Sequence, residues 1–302
     1  MLALPVFLRL PLAAILIVAN ILVHVGPLLA IAVVKLVLPF ERFRVATNPW
    51  LTGIAESWIA VNTAVIAWFT RTRFVATEQA SLQRDGHYLV LANHQSWVDI
   101  FVMQKQFNRR IPLLRFFLKR ELLWVPLMGL AWWALDFPFM RRHTREQIRR
   151  RPQLAGRDIE TTRRACAKFR SIPVAVTNFV EGTRCTPAKH AAQQSPYRHL
   201  LKPKSGGVAF VVDAMGDGLQ SLLDVTVVYP AGIPTMIDLF SNRVPEVRID
   251  VREREIPREL VGGDYQNDAA FRDRFQEWMN ASWREKDAIC ARLLAEGRDG
   301  MR

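Results

Sequence analysis

Two side chains in the stretch LANHQSWVDIF, residues 91–101, have the types and spacing for proton chemistry: His94 and Asp99. A neutral imidazole can take a proton near pH 7, which makes histidine the usual general base. A carboxylate on its Nδ1–H would fix the tautomer and leave Nε2 free. The spacing of five is wrong for one helix face, since it turns through about 500° at 3.6 residues per turn. It suits a loop histidine met by a carboxylate in the first turn of the following helix. The same residues also fit a plain helix start, with Ser96 as N-cap and Asp99 at the third helical position. Both readings stand on these residues alone.

The flanking pattern says where the loop lies. HYLVLAN (87–93) reads as a strand and SWVDIFVMQKQF as a helix, so His94 falls at the carboxyl end of a strand. Further β-prone runs occupy 111–118, 135–140, 172–182, 222–230 and 247–253. Segments of helical length fill 97–108, 120–133, 145–170, 205–215 and 268–296. This alternation predicts an α/β domain: a mixed, mostly parallel sheet flanked by helices. Sites in such sheets form in loops beyond the carboxyl ends of strands.

The chain has 302 residues, half of them hydrophobic, and a net charge of +13. The charge points to an anionic partner: a phosphate-bearing substrate, anionic lipid or nucleic acid. RRHTREQIRRR (141–151) is the densest basic cluster. No helix-turn-helix, RNP or zinc-finger pattern accompanies it, so nucleic acid is not expected and a lipid or phosphate surface is. Cys166, Cys185 and Cys290 form no C-x-x-C pair, and no metal site is indicated.

From Leu10 to Val34 the only ionisable residue is His24. As a helix this run reaches roughly 37 Å, against a hydrocarbon core of about 30 Å. It is too long for the apolar part of a signal peptide. The expected organisation is an uncleaved transmembrane anchor over 1–44, which Pro11, Gly26 and Pro27 could kink or fold back. An amphipathic segment over 45–74 and the main domain over 75–302 follow. Residues 51–69 carry Ile54, Trp58, Val61, Val65 and Trp68 on one helical stripe. They would lie in the membrane interface or pack on the domain. Arg9 alone precedes the anchor, while Lys35, Arg42 and Arg44 follow it, which puts the domain in the cytoplasm.

Four blocks, in order, resemble the glycerolipid and lysophospholipid acyltransferase family. NHQSWVD (93–99) matches its N-H-x4-D motif. DFPFMRR (136–142) is similar to its apolar stretch ending in arginine, and FVEGTR (179–184) to its F-P-E-G-T-R, with Val180 in place of the usual proline. VTVVYP (225–230) matches an apolar strand ending in proline. KRELLWVPLMGLAWW (119–133) looks like the family segment between the first two blocks, and the stretch after the third resembles the lysocardiolipin-type branch. The resemblance covers roughly 75–235 and the N-terminal anchor.

That resemblance implies a bacterial inner-membrane enzyme with a cytoplasmic catalytic domain. It would acylate 1-acylglycerol-3-phosphate or a related lysophospholipid. The acyl donor would be acyl-CoA or acyl-carrier protein, and no bound cofactor is implied. His94 would deprotonate the acceptor hydroxyl and Asp99 would orient His94. Arg184 and Arg142, with Arg141 beside it, would bind the acceptor phosphate, because guanidinium forks suit phosphate. Glu181 would position an arginine or a backbone loop, Gly182 would let the chain approach the ligand closely, and Thr183 completes the binding block. A membrane-tethered hydrolase is the rival reading, along with a remodelling enzyme of different headgroup. No G-x-S-x-G elbow supports the hydrolase, although Cys185 directly follows the third block.

Overall fold

The computed structural model describes residues 4–38, 40–140, 166, 169 and 172–300. At its centre is a six-stranded sheet made of β1 (Arg73–Gln79), β2 (His87–Ala92), β3 (Leu114–Phe116), β6 (Val174–Phe179), β7 (Ser221–Val228) and β8 (Glu246–Arg254). The spatial order is β1-β8-β7-β2-β6-β3. Every neighbouring pair is parallel except β7 and β8. β4 (Leu118–Lys119) and β5 (Phe139–Met140) form a separate parallel pair. The mixed, mostly parallel α/β sheet read from the sequence is the architecture found.

Side-chain parity splits the core into two layers. Leu89 and Leu91 of β2 face one side, with Val174 and Val176 of β6. There they meet helix α6 (Gly206–Met215) and the long C-terminal helix α8 (Ala269–Asp299), which brings Phe275, Met279 and Trp283. Tyr88, Val90 and Ala92 face the other side and meet Val98, Val102, Met103 and Phe107 of α3 (Val98–Phe107). Burial on both faces explains why β2 and β7 read as continuous apolar runs rather than alternating ones.

Most expected elements lie within a few residues of their places. The run 120–133 is not one helix: a 3-10 turn, Arg120–Trp124, precedes α4 (Met128–Ala134), with Pro126 at the break. The strand over 135–140 shrinks to two residues outside the main sheet. The expected helix 145–170 lies outside the described residues, apart from Cys166 and Phe169. Edge strand β1 and the short helices α5 (Pro187–Gln193) and α7 (Met236–Phe240) were not expected.

The N-terminal third is a pair of long helices. α1 (Val6–Val37) runs through Pro11 and Pro27 as one helix, and α2 (Glu41–Phe69) runs through Pro49. Polar groups join them across an apolar seam. Asn20 Nδ2 donates to Asn62 Oδ1 (3.0 Å) and to the Trp58 carbonyl (3.0 Å), and His24 Nε2 lies 3.1 Å from Ser57 Oγ. Side-chain hydrogen bonds of this kind hold helices together where water is scarce. Along 51–69 the buried face is Leu51, Ala55, Ile59, Asn62, Val65 and Phe69, while Val61 and Trp68 stay exposed. The segment therefore packs on its neighbours with one face, as one of the two expected readings has it, and leaves another face open. Glu56 is buried on the packed side beside the guanidinium of Arg84 at 2.7 Å.

The pair docks on the α/β domain at two points. Ala13 shares a cluster with Phe240 of α7. Leu28 and Ala32 share another with Leu113, Ala134 and Leu135. At 1.5 Å per residue, Ala13 and Leu28 lie about 22 Å apart along α1. In a helix standing upright, these points would differ in depth by most of a hydrocarbon layer about 30 Å thick. α1, by length and composition apolar enough to cross a membrane, thus touches the domain at both points while it pairs with α2 as a hairpin.

Helix α8 is pinned to the sheet by buried charge. Lys286, fully buried, pairs with Asp224 on β7 and donates to the Val225 carbonyl at 2.7 Å. Asp224 also accepts from Arg254 on β8 at 2.9 Å. Removing one member of a buried pair strands the other. Asp224→Ala is expected to cost about 3–5 kcal/mol, and adding Lys286→Met should recover part of that loss. Thermal melts of the detergent-solubilised full chain measure both.

Candidate active site

The strands that end at β2, β6 and β7 define one edge of the sheet, and the loop after β2 crosses it. Asn93, fully buried, continues the β2–β7 ladder with its side chain. Its Nδ2 donates to the Val227 carbonyl and its Oδ1 accepts the Val227 N–H, both at 2.9 Å. The backbone is thus freed to turn, and His94 follows.

Asp99 holds that turn. Its Oδ2 lies 2.9 Å from His94 Nδ1 and accepts the backbone N–H groups of Gln95 (2.6 Å) and Ser96 (2.8 Å). Its Oδ1 accepts the Tyr229 hydroxyl at 2.6 Å. A carboxylate only accepts, so His94 Nδ1 carries the proton and the Nε2 lone pair is free. Burial, and then the Asp99 charge, hold the Tyr229 phenol well above its ordinary range, so it stays a donor. The expected capping box is only half formed: the N-cap is Trp97, Asp99 is the second helical residue, and Ser96 Oγ takes the Val98 N–H rather than that of Asp99. Asp99 satisfies loop amides at the start of α3, as a capping residue does, and it also orients His94. Ser96 Oγ accepts the Val98 N–H (3.1 Å) and donates to the Pro234 carbonyl (2.5 Å).

The ring of His94 is the end of a three-ring stack. Phe179, the last residue of β6, stacks on it with centroids 4.0 Å apart and planes 15° apart, and Phe116 of β3 stacks behind at 5.5 Å. The block 179–184 then runs past the histidine. Cys185 N–H donates to the His94 carbonyl at 2.7 Å, and Lys204 N–H donates to the Val180 carbonyl at 3.0 Å. Gly182 sits at φ 70°, in the left-handed region where a side chain is disfavoured. That geometry closes the turn in which Gly182 N–H donates to the Phe179 carbonyl at 2.8 Å.

Glu181 points inward, fully buried. Its Oε1 accepts the Leu201 N–H at 3.4 Å, and Oε2 has no hydrogen-bond partner. Burial pushes its carboxyl up to about 8, against the opposing pull of the Leu201 and His94 amides and of Lys286. It thus lies under the site loops, between Leu201 and His94, and pairs with no arginine among the described residues.

Arg184 is exposed and stacks over the Trp97 indole, 5.2 Å from guanidinium carbon to ring centroid. Lys189 of α5 reaches back, donating to Thr183 Oγ1 at 2.6 Å and to the Arg184 carbonyl at 3.2 Å. Two cations therefore flank Thr183 at the mouth. Arg141 and Arg142 lie outside the described residues. Cys185 is half-sequestered from the role of nucleophile by burial, which pushes its thiol up to about 11. Among the described residues, no group of three or more His, Cys, Asp and Glu is placed to hold a metal.

Asn93, Tyr229, Phe179 and Lys189 belong to this site and were not singled out by type or spacing. Tyr229 had a signal. Counting by twos from Leu223 through Val225 and Val227 puts it on the α3 face of β7, the face to which Asp99 turns.

The comparison with known families fits this geometry. A family model described as Acyltransferase matches residues 73–233. The chain belongs to that acyltransferase family. It is 25% identical over 242 residues to the mouse 1-acyl-sn-glycerol-3-phosphate acyltransferase gamma, covering 74% of this chain and 59% of the relative. It is 23% identical over 277 residues to chicken lysocardiolipin acyltransferase 1, covering 86% and 68%. A crystal structure of the 1-acyl-sn-glycerophosphate acyltransferase from Thermotoga maritima aligns with a TM-score of 0.42 and 15% identity, covering 86% of this chain and 95% of that one. The chain thus spans about three-fifths of the length of the mouse relative.

The raised Glu181 pKa sets a pH dependence. The unfolded carboxyl ionises near 4.5 and the folded one near 8. The folded state holds the proton longer, so its stabilising contribution is complete below 4.5 and is lost as pH rises to 8. Glu181→Gln should flatten this part of the curve. Melting temperatures of parent and variant between pH 5 and 8.5 check it, and parallel slopes would place Glu181 elsewhere.

Proposed function

We propose that the chain is a membrane-bound O-acyltransferase. It moves a fatty acyl group from acyl-CoA or acyl-carrier protein to the free hydroxyl of a lysophospholipid, 1-acylglycerol-3-phosphate or a close relative. The observation that carries this reading is His94 with Nδ1 held by Asp99 and Nε2 free at the sheet edge, inside the family's N-H-x4-D motif.

The chemistry follows from that arrangement. An alcohol is too weakly acidic to attack a thioester unaided at neutral pH. His94 Nε2 takes its proton as the oxygen bonds to the acyl carbon. The tetrahedral intermediate then expels the thiolate, which recovers the proton from the imidazolium. Asp99 holds the ring through Nδ1 so that Nε2 faces the acceptor. No acyl-enzyme is formed. At the mouth, Arg184 and Lys189 supply positive charge for the acceptor phosphate, and Arg142 with Arg141 is assigned to the same task by the family blocks. An apolar cavity of about 290 Å³ between α2, α3 and the start of β1 is lined by Ile66, Phe74, Val98 and Val102. Thr63, Thr70, Arg71, Thr72 and Lys105 complete its wall, so it offers an acyl chain an apolar floor with a polar rim.

The α1–α2 hairpin holds this site at the lipid. We read it as lying along the cytoplasmic leaflet of the inner membrane, with its exposed apolar face in the headgroup–acyl boundary. Its support is the apolar length of α1 and the two docking points along it.

His94→Ala should reduce acyl transfer by about 10²–10⁴-fold with little change in melting temperature. Transfer from labelled acyl-CoA to lysolipid in mixed micelles measures it, and a rate within a few-fold of the parent would sink the mechanism. Asp99→Asn separates the two jobs of that carboxylate. Its amide oxygen still accepts from Gln95 and Ser96, so the helix start survives while turnover drops by at least about tenfold with the loss of charge. Arg184→Ala should raise KM for a phosphate-bearing lysolipid more than for the acyl donor. An effect on the donor alone would move Arg184 to the thioester side.

A further inference from the structure

Outside the N-terminal hairpin, large apolar side chains remain exposed in only two places among the described residues from Arg73 to Gly300. One is the rim made by Trp97, Ile233 and Ile237. The other is the segment 124–133, where Trp124 (84% exposed), Leu127, Leu130 and Trp133 all face outward. We propose that residues 120–134 form a second membrane-inserting element, a finger of the catalytic domain whose partner is the headgroup–acyl boundary of a phospholipid leaflet. This rests on the membrane placement of α1 proposed above and goes beyond it, because it takes part of the α/β domain into the lipid.

Three observations select a lipid surface over a protein partner. The first is continuity. α4 packs beside the C-terminal half of α1, where Ala134 and Leu135 join Leu28 and Ala32 in one cluster. Lys35, at the end of α1, pairs with Asp136 just after α4 at 2.6 Å and donates to the Ala134 carbonyl at 3.4 Å. Whatever depth that end of α1 takes, α4 shares it. The second is composition. Two tryptophans and two leucines on one small surface, with exposed Lys119 and Arg120 at its base, give apolar residues for the boundary and cations for anionic headgroups. The third is rigidity. A Cβ on Gly129 would come within 2.0 Å of the Leu123 carbonyl oxygen, and Leu127 takes φ 62°. The 3-10 turn and α4 are therefore folded tightly on each other with their large side chains outward. A floppy loop would bury such residues.

The test uses the full chain in vesicles of phosphatidylethanolamine and phosphatidylglycerol. One nitroxide is placed at Trp124→Cys, at Leu130→Cys or, as a water reference, at Arg258→Cys. The three native cysteines are buried, and the unsubstituted chain gives the labelling background. Labels at 124 and 130 should collide with oxygen more than with a water-soluble nickel chelate, at a depth of about 5–10 Å. Accessibility at 124 and 130 equal to that at 258 would overturn the proposal. This readout needs no activity, so it decides the question even if no acyl transfer is found. In the transfer assay, the double variant Trp124→Glu/Leu130→Glu should lose about tenfold in rate on vesicle-embedded lysolipid and keep its rate on a dispersed short-chain lysolipid. Unchanged rates on both would overturn the finger's role in reaching membrane substrate.

Discussion

One buried carboxylate organises the site. Asp99 accepts from a histidine ring, two backbone amides and a phenol, and these come from the β2 loop and from the end of β7. Each donor is fixed by its own element, so the carboxylate is where the β2 loop, α3 and β7 are brought into register. A lone anion in so dry a place is tolerated only because four dipoles surround it.

Beyond the dyad, the site is built by backbone as much as by side chains. Asn93 substitutes for ladder hydrogen bonds, Cys185 N–H ties the 179–184 block to the His94 carbonyl, and Glu181 lies beneath both loops. The histidine plane is set by aromatic stacking from β6 and β3. Precision here comes from the packed α/β core, whose two layers close over both faces of β2.

How much of this was legible in the sequence depends on the kind of signal. β2 and most of β7 were visible as apolar runs bounded by turn residues, and β8 by the alternation of Val247, Ile249 and Val251 with charged residues. Their neighbour β1 was not, since RFVATEQ mixes charge with apolar residues as an exposed edge strand does. Helix 120–133 was misread because Pro126 and Gly129 act through a tight turn that periodicity ignores. At the site, His94 and Asp99 were found by spacing. Tyr229 and Asn93 act across 130 and more residues of chain, and only strand pairing brings them in. The apolar length of α1 was visible in hydropathy, while its docking on α7 and α4 is a tertiary fact that hydropathy does not encode.

The polarity switch in the sheet has a further result. Because β8 runs against β7 and β1 runs with β8, the first residue of β1 lies at the same edge as the last residue of β2. Only Thr70, Arg71 and Thr72 separate the end of α2 from Arg73. Three strand spacings of about 4.8 Å then separate the rows of β1 and β2. The chain thus carries its reactive edge on a very short leash. The edge bearing His94 can rock against the end of α2 but cannot swing clear of it, so the distance from that helix to the histidine is limited by chain connectivity.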